Sequence, residues 1–485
     1  MKKYEHAFGK NDIRGIYGED ITEEIFYYTG RAFVEYLKKQ ASKKTEAIWI
    51  TVTRDARTHS PSLAKSLIEG ITSTGANVVD LGLAPTPIGY YSEVAGVPSQ
   101  ITCGEKILGA MIITASHNPK EYNGMKMTYA GRTLNEAQIK EVKELAFKEL
   151  SEKQAEAVTG KIVEYNIIPD YIDDMKKRFG TIGKGIKVVV DSANATGGVV
   201  GPQLYRELGC EVIELFSAPD GNFPNHHPNP SDLKTLKVID ETVLENNADV
   251  GIAYDGDSDR IGVITPDGKP LTGDKLLLIY AQDLLNEIDN KDKLTVVSEV
   301  KCSQVLFDSI NNAGGHAVMC KTGHGYIKDK MKETNALLAG EMSGHTFFKD
   351  KYYGFDDAIY AGCRIIEIIA KNKKTNPNFK LQEMLKPFDA VCSSDEVRFP
   401  CPNEKKKETM EKFKECVECN KNLFGSDIKE IITLDGMRIT FDGGFALIRQ
   451  SNTEPVFTLR FEGKTKDDCE RYKNCMIKTL ENILK

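Results

Sequence analysis

Three stretches of this 485-residue chain repeat one pattern, and that pattern limits the fold more than any other feature. Each begins with a short β-branched run that ends near an acidic residue. A helix candidate follows, then a glycine turn and a second β-branched run. In the first copy, Ile48-Trp49-Ile50-Thr51-Val52 reads as a strand and Thr53-Arg54-Asp55 opens a polar loop. A helix candidate spans 61–72, and Gly75-Ala76-Asn77-Val78-Val79 starts the next strand. In the second, Val188-Val189-Val190-Asp191 is the strand, 192–198 the loop and 204–208 part of a helix. Gly209-Cys210-Glu211-Val212-Ile213 then begins a strand. In the third, Thr295-Val296-Val297-Ser298-Glu299 precedes a helix candidate and Gly314-Gly315-His316-Ala317-Val318. Short apolar strands alternating with helices are the mark of βαβ units and a largely parallel sheet. At residue level the repeat is weak, and any α/β protein yields comparable matches.

The end of the chain differs. Lys371-Asn372-Lys373-Lys374-Thr375-Asn376-Pro377-Asn378 is polar and rich in breakers, and reads as a loop. After it come strand candidates at 396–399, 437–441, 445–448 and 457–461, a helix candidate over 405–421 and a last helix from about Lys466. Strands grouped between helices predict a small α+β domain.

Composition excludes several classes of function. The 64 Lys and Arg against 71 Asp and Glu leave a formal charge of −7. A general polyanion binder would be basic instead, so no nucleic-acid partner is expected. No apolar run approaches the roughly 18 residues of a membrane span, and no membrane partner is expected. The start, Met1-Lys2-Lys3-Tyr4-Glu5-His6, has no apolar stretch of the signal-peptide kind. The eleven cysteines then read as reduced thiols in the cytoplasm. Cys416-Val417-Glu418-Cys419 lacks the second pair that structural zinc needs, so zinc is not expected there. At about 150 residues per domain the length predicts roughly three domains.

Four loops carry groups able to do chemistry. Thr114-Ala115-Ser116-His117-Asn118-Pro119 follows the apolar run Gly109-Ala110-Met111-Ile112-Ile113. Ser116 therefore lies just past a strand's end, where open α/β sheets place ligands. Taken alone, Ser-His-Asn-Pro is equally a capped turn. Lys126 returns a cation ten residues later. The second loop, Asp255-Gly256-Asp257-Ser258-Asp259-Arg260, stands between the strand candidates 250–254 and 261–264. Three alternating carboxylates repel one another unless neutralised, and a hard divalent cation with oxygen ligands does that. A calcium loop of the EF-hand kind needs Gly at its sixth position and Glu at its twelfth; here these are Arg260 and Pro266. Magnesium suits three carboxylates and a phosphate oxygen.

The third loop, Gly340-Glu341-Met342-Ser343-Gly344-His345, brackets a carboxylate and a hydroxyl with glycines, a combination able to hold a vicinal diol. The fourth, Arg449-Gln450-Ser451-Asn452-Thr453-Glu454-Pro455, offers a guanidinium, hydroxyls, an amide and loop N–H groups, the donors a phosphate dianion needs. Arg14, in Asp12-Ile13-Arg14-Gly15, and Lys321-Thr322-Gly323-His324-Gly325 add cations and donors whose meaning alone is slight.

Together and in this order, the four loops resemble the α-D-phosphohexomutase superfamily, and within it the phosphomannomutase/phosphoglucomutase branch. The resemblance runs from Asp12-Ile13-Arg14-Gly15 to Ser451-Asn452-Thr453-Glu454-Pro455. It implies three similar α/β domains with mixed sheets and a C-terminal α+β domain around a central cleft. The corresponding boundaries are 1–163 for the serine loop, 164–268 for the metal loop, 269–384 for the sugar loop and 385–485 for the phosphate loop. It implies that Ser116 carries the phosphoryl group and that Asp255, Asp257 and Asp259 hold Mg²⁺ with it. Glu341 and Ser343 would bind sugar hydroxyls; Arg449, Ser451, Asn452 and Thr453 would bind the phosphate that does not react. Lys126, Arg14, His345, Arg260, Lys321 and His324 would lie near the reacting groups or the substrate. One departure is Asn11, where members of this branch often have Tyr three residues before the arginine of the first motif.

The implied reaction moves phosphate between O1 and O6 of a hexose phosphate, mannose or glucose. Those oxygens are too far apart for one direct step. Phosphoserine would donate to the free hydroxyl, forming a hexose 1,6-bisphosphate. The sugar would turn over and Ser116 would take back the other phosphate. Lys126, Arg14 and His345 are candidates for the general acid and base, although an arginine base is chemically unexpected. Glucose and mannose differ only at C2, so a pair that reads O3 and O4 predicts activity on both. Met342, bulky beside that pair, argues against a phosphoglucosamine mutase. A metal-dependent sugar phosphatase working through phosphoserine is a further reading, as is a sugar-phosphate sensor without turnover.

Overall fold

A computed structural model describes residues 4–40, 47–152, 159–451 and 454–485. The chain divides into two compact units. One comprises Met1–Leu271 and Ser343–Leu381; the other comprises Thr272–Met342 and Gln382–Lys485.

The first unit has two sheets. In the larger, the order is Ile13–Ile16, Tyr122–Tyr129, Ile107–Ile113, Trp49–Arg54, Asn77–Leu83 and Ile162–Glu164, with Arg132–Thr133 beside Tyr122–Tyr129. Trp49–Arg54 runs parallel to both Asn77–Leu83 and Ile107–Ile113. Tyr122–Tyr129 is antiparallel to Ile107–Ile113 and to Ile13–Ile16, so the sheet is mixed. Alternation along the strands divides its faces. Ile50, Val52, Met111 and Ile113 join one core with the helices Glu23–Gln40, Ser60–Thr72 and Glu136–Glu152. Ile112 and Thr53 point the other way, against Gly89 of the helix Thr86–Val94. A Cβ at Gly89 would sit 2.5 Å from Ile112, so glycine is what lets this helix approach.

The second sheet has the order Ile261–Ile264, Val250–Tyr254, Lys187–Asp191, Glu211–Leu215. Its pairs are parallel apart from the hairpin of Val250–Tyr254 with Ile261–Ile264. Ala358–Thr375 packs near it. Tyr205 donates to the Ile359 carbonyl at 3.1 Å, and Tyr254 donates to Tyr205 at 2.5 Å. This helix corrects one expectation, because it runs on through Lys371–Thr375, which reads as loop. Glu367 pairs with Lys371 one turn on, and Lys373 reaches Asp249. Cations in a last turn also complement the helix dipole. Local polarity was thus outweighed by charge placement, and the helix stops only before Asn376-Pro377.

In the second unit, Thr295–Glu299 lies parallel to both His316–Cys320 and Leu338–Gly340. The C-terminal sheet is antiparallel through Glu430–Ile432, Met437–Phe441, Gly444–Gln450 and Val456–Gly463. The helices Lys406–Cys419 and Lys466–Leu484 cover its core of Ile439, Ile448, Leu459, Phe461 and Met476. A capping box between Thr465 and Asp468 starts the last helix. Arg449 and Gln450 belong to the strand itself and not to the turn after it. No helix among the described residues is long and apolar enough to cross a membrane.

One carboxyl of this frame titrates near neutrality. Glu93, on Thr86–Val94, accepts from Thr128 Oγ1 at 2.5 Å and the Gly131 N–H at 2.6 Å. Burial pushes it up from 4.5 to about 7. Its raised value favours the folded state fully below pH 4.5, and that contribution is lost as pH rises through about 7. The expected loss is about 2–3 kcal/mol across that window. Urea unfolding of Glu93→Gln should lack this slope; an unchanged pH profile would refute the assignment.

Candidate functional site

In the first unit three loops meet at strand ends. Ser116 is buried and left-handed, with φ +49. Its N–H bonds Thr114 Oγ1, and its Oγ donates to Asp255 Oδ2 at 2.7 Å, with His117 Nδ1 3.0 Å away. The acidic loop presses directly on it: a Cβ at Gly256 would lie 2.2 Å from the Ser116 carbonyl oxygen. Asp255 Oδ1 accepts the N–H groups of Asp259 and Arg260, which closes the turn. Ser258, at φ +60, is a second non-glycine residue held in the left-handed region.

Asp255, Asp257 and Asp259 are all buried, and each offers a carboxylate oxygen within 4.8 Å of the others. Lys126 Nζ stands between two of them, 2.8 Å from Asp257 Oδ2 and also paired with Asp259. Burial would lower this ammonium, but the two carboxylates outweigh it and raise it well above an ordinary lysine. For Asp255, burial and then the neighbouring Asp259 and Asp257 push the carboxyl well up. Asp257 Oδ1 is buried without a hydrogen-bond partner among the described residues. An orphaned carboxylate oxygen within an all-oxygen set fits a hard cation such as Mg²⁺.

The other predicted residues of this unit converge here too. Arg14 binds Asp12 and donates to Asn118 Oδ1 at 2.9 Å. His345 Nε2 lies 3.3 Å from Asp259 Oδ1 and 3.4 Å from Arg260 Nε, and its Nδ1 is 3.0 Å from Ser343 Oγ. The charge of Arg260, then burial and Arg14, hold His117 neutral far below the usual histidine range. Arg14, Lys126 and Arg260 therefore gather around one serine in an acidic protein.

The second unit holds the remaining residues. The Gly323 N–H donates to Glu341 Oε1 at 2.7 Å, and His324 begins the helix His324–Thr334. Lys321 Nζ lies 5.8 Å from the Tyr326 ring centroid. Arg449 Nε donates to Asp435 Oδ2 at 3.2 Å. Ser451 Oγ accepts from the Glu454 N–H, while Lys406 Nζ takes the Ser451 carbonyl at 2.8 Å. Asn452 and Thr453 lie outside the described residues. Cys416 and Cys419 end the helix Lys406–Cys419 and belong to neither group able to hold a metal among the described residues.

Several residues absent from the sequence reading support these loops. Arg57 is 1 % exposed, and all five of its N–H groups are used. Nε meets Asp55. Nη1 meets the carbonyls of Pro119 and Tyr122, and Nη2 those of Ser116 and Asn118, at 2.5–3.1 Å. Thr86 engages Asp257 twice, by Oγ1 to Oδ2 at 2.6 Å and by N–H to the carbonyl at 2.9 Å. A loop over 221–230 packs on the same region, since a Cβ at Gly221 would meet the Ala56 carbonyl at 2.4 Å. Asp356, with Asp259 and His345, forms a second group of possible metal ligands. An arginine in a polar loop and a Pro- and Asn-rich stretch look like ordinary surface in a sequence, and only the fold shows what they hold.

Comparison with known proteins gives matches along nearly the whole chain. Models of phosphoglucomutase/phosphomannomutase alpha/beta/alpha domains I, II and III match residues 5–153, 169–268 and 272–388. The C-terminal domain of the same family matches 396–478. A phosphomannomutase/phosphoglucomutase of Pseudomonas aeruginosa is 37% identical over 476 residues, covering 98% of this chain and 96% of that protein. A phosphoglucomutase of Neisseria gonorrhoeae is 38% identical over 467 residues, covering 96% and 95%. The crystal structure of a phosphoglucomutase/phosphomannomutase family protein from Burkholderia thailandensis is similar at a TM-score of 0.86. It is 33% identical and covers 99% of this chain and 97% of its own.

Replacing Arg57 by Met should remove a donor from four carbonyls, of which that of Pro119 keeps the Tyr122 N–H, at about 1–3 kcal/mol for each one left unpaired where water cannot reach. Arg57→Lys keeps at most three donors, so it should fall between the two. Urea unfolding ordering the proteins wild type, Lys, Met would support this; equal stability of all three would contradict it.

Proposed function

Because the chain belongs to the phosphoglucomutase/phosphomannomutase family, we propose that it is an isomerase that moves a phosphoryl group between O1 and O6 of glucose and mannose phosphates, with Ser116 as the carrier. The observation that carries this reading is the Ser116 hydroxyl, 2.7 Å from Asp255 inside a cluster of three buried carboxylates and the Lys126 ammonium. A turn that only capped a strand would not need such a setting.

The residues divide the work as follows. Phosphoserine 116 donates to the free hydroxyl of a bound hexose phosphate, which gives a hexose 1,6-bisphosphate. The sugar reorients, and Ser116 takes the second phosphoryl group. When Ser116 accepts, its proton has Asp255 Oδ2 and His117 Nδ1 at hydrogen-bond distance. Asp255, Asp257 and Asp259 would hold Mg²⁺ beside the phosphoserine, where it would supply neutralisation of charge on the transferred group. Lys126, Arg14 and Arg260 add fixed positive charge around the serine, the electrostatic support that transfer requires. His345, held by Asp259 and Ser343, is the group we assign to taking the sugar hydroxyl proton, while the Lys126 ammonium, held charged by Asp257 and Asp259, can act only as a donor. Glu341 and Ser343 read O3 and O4. Arg449, Ser451, Asn452 and Thr453 hold the phosphate that does not react, and Lys321 and His324 lie along the substrate. The four domains divide near residues 163, 268 and 384. All eleven cysteines are free thiols, which suits the reducing cytoplasm.

A coupled assay with glucose 1-phosphate and mannose 1-phosphate, with Mg²⁺ and a bisphosphate primer, tests the reading. Conversion to both 6-phosphates at rates within about ten-fold is expected, because a gap of ten-fold corresponds to only about 1.4 kcal/mol. Release of inorganic phosphate instead would indicate a phosphatase. Ser116→Ala should cost about 10⁴-fold or more in turnover with substrate binding retained. Chelation of the metal should do likewise, reversibly; turnover that survives either would refute the carrier or the metal.

A further inference from the structure

We propose that Asp435 is a positioning residue that orients Arg449 for phosphate and ties it to the loop that reads the sugar hydroxyls. This rests on the reading above, in which Arg449 binds the phosphate that does not react and Glu341 binds the diol. No sequence motif pointed to Asp435, and it touches neither reacting atom.

Sheet register places it. Met437 pairs with Ile448 across the C-terminal hairpin, so the turn preceding Met437 runs beside Arg449 and Gln450. Gly436, at φ +82, is pressed onto that strand, since a Cβ there would lie 2.2 Å from the Ile448 carbonyl and 2.7 Å from the Arg449 Cα. The backbone thus delivers the Asp435 carboxylate to the root of the Arg449 side chain. One oxygen, Oδ2, accepts both Arg449 Nε at 3.2 Å and the Thr322 N–H at 3.0 Å. A guanidinium gripped at Nε is fixed in rotation and presents its Nη1–Nη2 edge, the edge that pairs bidentately with a phosphate.

The other end of the link is equally defined. Thr322 Oγ1 donates to Glu299 Oε2 at 2.5 Å, and the next N–H, that of Gly323, donates to Glu341 Oε1 at 2.7 Å. Glu299 Oε1 in turn accepts the Met342 N–H at 2.8 Å. Asp435 and Glu341 therefore accept two consecutive N–H groups, while Glu299 takes the Thr322 hydroxyl and the Met342 N–H. Glu341 is the group expected to meet the sugar, Asp435 meets the phosphate-binding arginine, and Glu299, fully buried, holds both flanks. Rotation of Arg449 is consequently coupled to the position of Gly323 and Glu341. A ligand with both a phosphate and a diol gains from this coupling; a ligand with one of the two does not.

The test is calorimetric titration of glucose 6-phosphate into the full-length wild type, Asp435→Ala, Asp435→Asn, Arg449→Ala and the Asp435→Ala/Arg449→Ala pair. Thermal midpoints are recorded alongside to confirm folding. Asp435→Ala should weaken binding about ten-fold and Arg449→Ala about a hundred-fold. The double variant should bind within two-fold of Arg449→Ala, because Asp435 acts through that arginine. Asp435→Asn retains an acceptor without the charge and should recover at least half of the loss on a logarithmic scale. A residue that merely supported the fold would produce losses that multiply. Multiplying losses, or Asp435→Ala binding as tightly as wild type, would overturn the proposal. Binding without any mutase turnover would overturn the parent reading alone, while the binding constants still decide the role of Asp435. No binding by the wild type would overturn both.

Discussion

Three carboxylates buried within one small volume are the constraint around which the first unit is arranged. Unpaired, they would repel one another and forfeit their hydration, a cost no fold of this size could carry. The surrounding structure offsets it from several directions. Two N–H groups of its own turn satisfy Asp255, Thr86 takes Asp257, and Lys126 stands between Asp257 and Asp259. These partners come from the turn itself, from a helix start and from a strand of the other sheet in the same unit. The serine loop can sit against this cluster only because residue 256 is glycine. Charge neutralisation and close backbone approach thus draw on the same few atoms.

A second set of buried charges organises the other unit. Arg438 donates to the carbonyls of Val300 and Cys302 at 2.5 and 2.8 Å and to Gln304 Oε1 at 3.1 Å, with its guanidinium 3.6 Å from the Phe445 ring centroid. Arg460 bonds the Lys301 carbonyl and reaches Asp274 Oδ2 at 3.2 Å. Both arginines rise from the C-terminal sheet and hold the turn after Thr295–Glu299, the strand that ends in Glu299. The Glu341 loop and the strand that carries Arg449 therefore share one support.

What could be read from the sequence follows from how local each signal is. The serine and acidic loops each follow an apolar run and complete their motif within six residues, so their place at strand ends was visible without tertiary information. The Arg449 loop was visible for the same reason, although the strand extends one turn of the pleat further than its apolar residues indicated. Arg57 was not visible, because the carbonyls it binds lie about sixty residues away and its own surroundings read as ordinary polar loop. Asp435 depends on a hairpin register, and Thr86 on a contact across 171 positions. The left-handed Ser116 and Ser258 carry no compositional mark, since serine at such a φ is imposed by its surroundings and not by its own preference. The helix through Lys371–Thr375 was misread because polarity suggests a loop, whereas its stability comes from ion pairs and dipole complementarity.

The central claim is that one serine carries the phosphoryl group. Incubating the protein with glucose 1,6-bisphosphate and mapping phosphorylated peptides by mass spectrometry tests it most directly. A single phosphoryl group on Ser116 is expected, removed when glucose 6-phosphate is added and absent from Asp257→Asn on the same timescale. A stable phosphate on another residue, or turnover of hexose phosphates with Ser116 never modified, would contradict it.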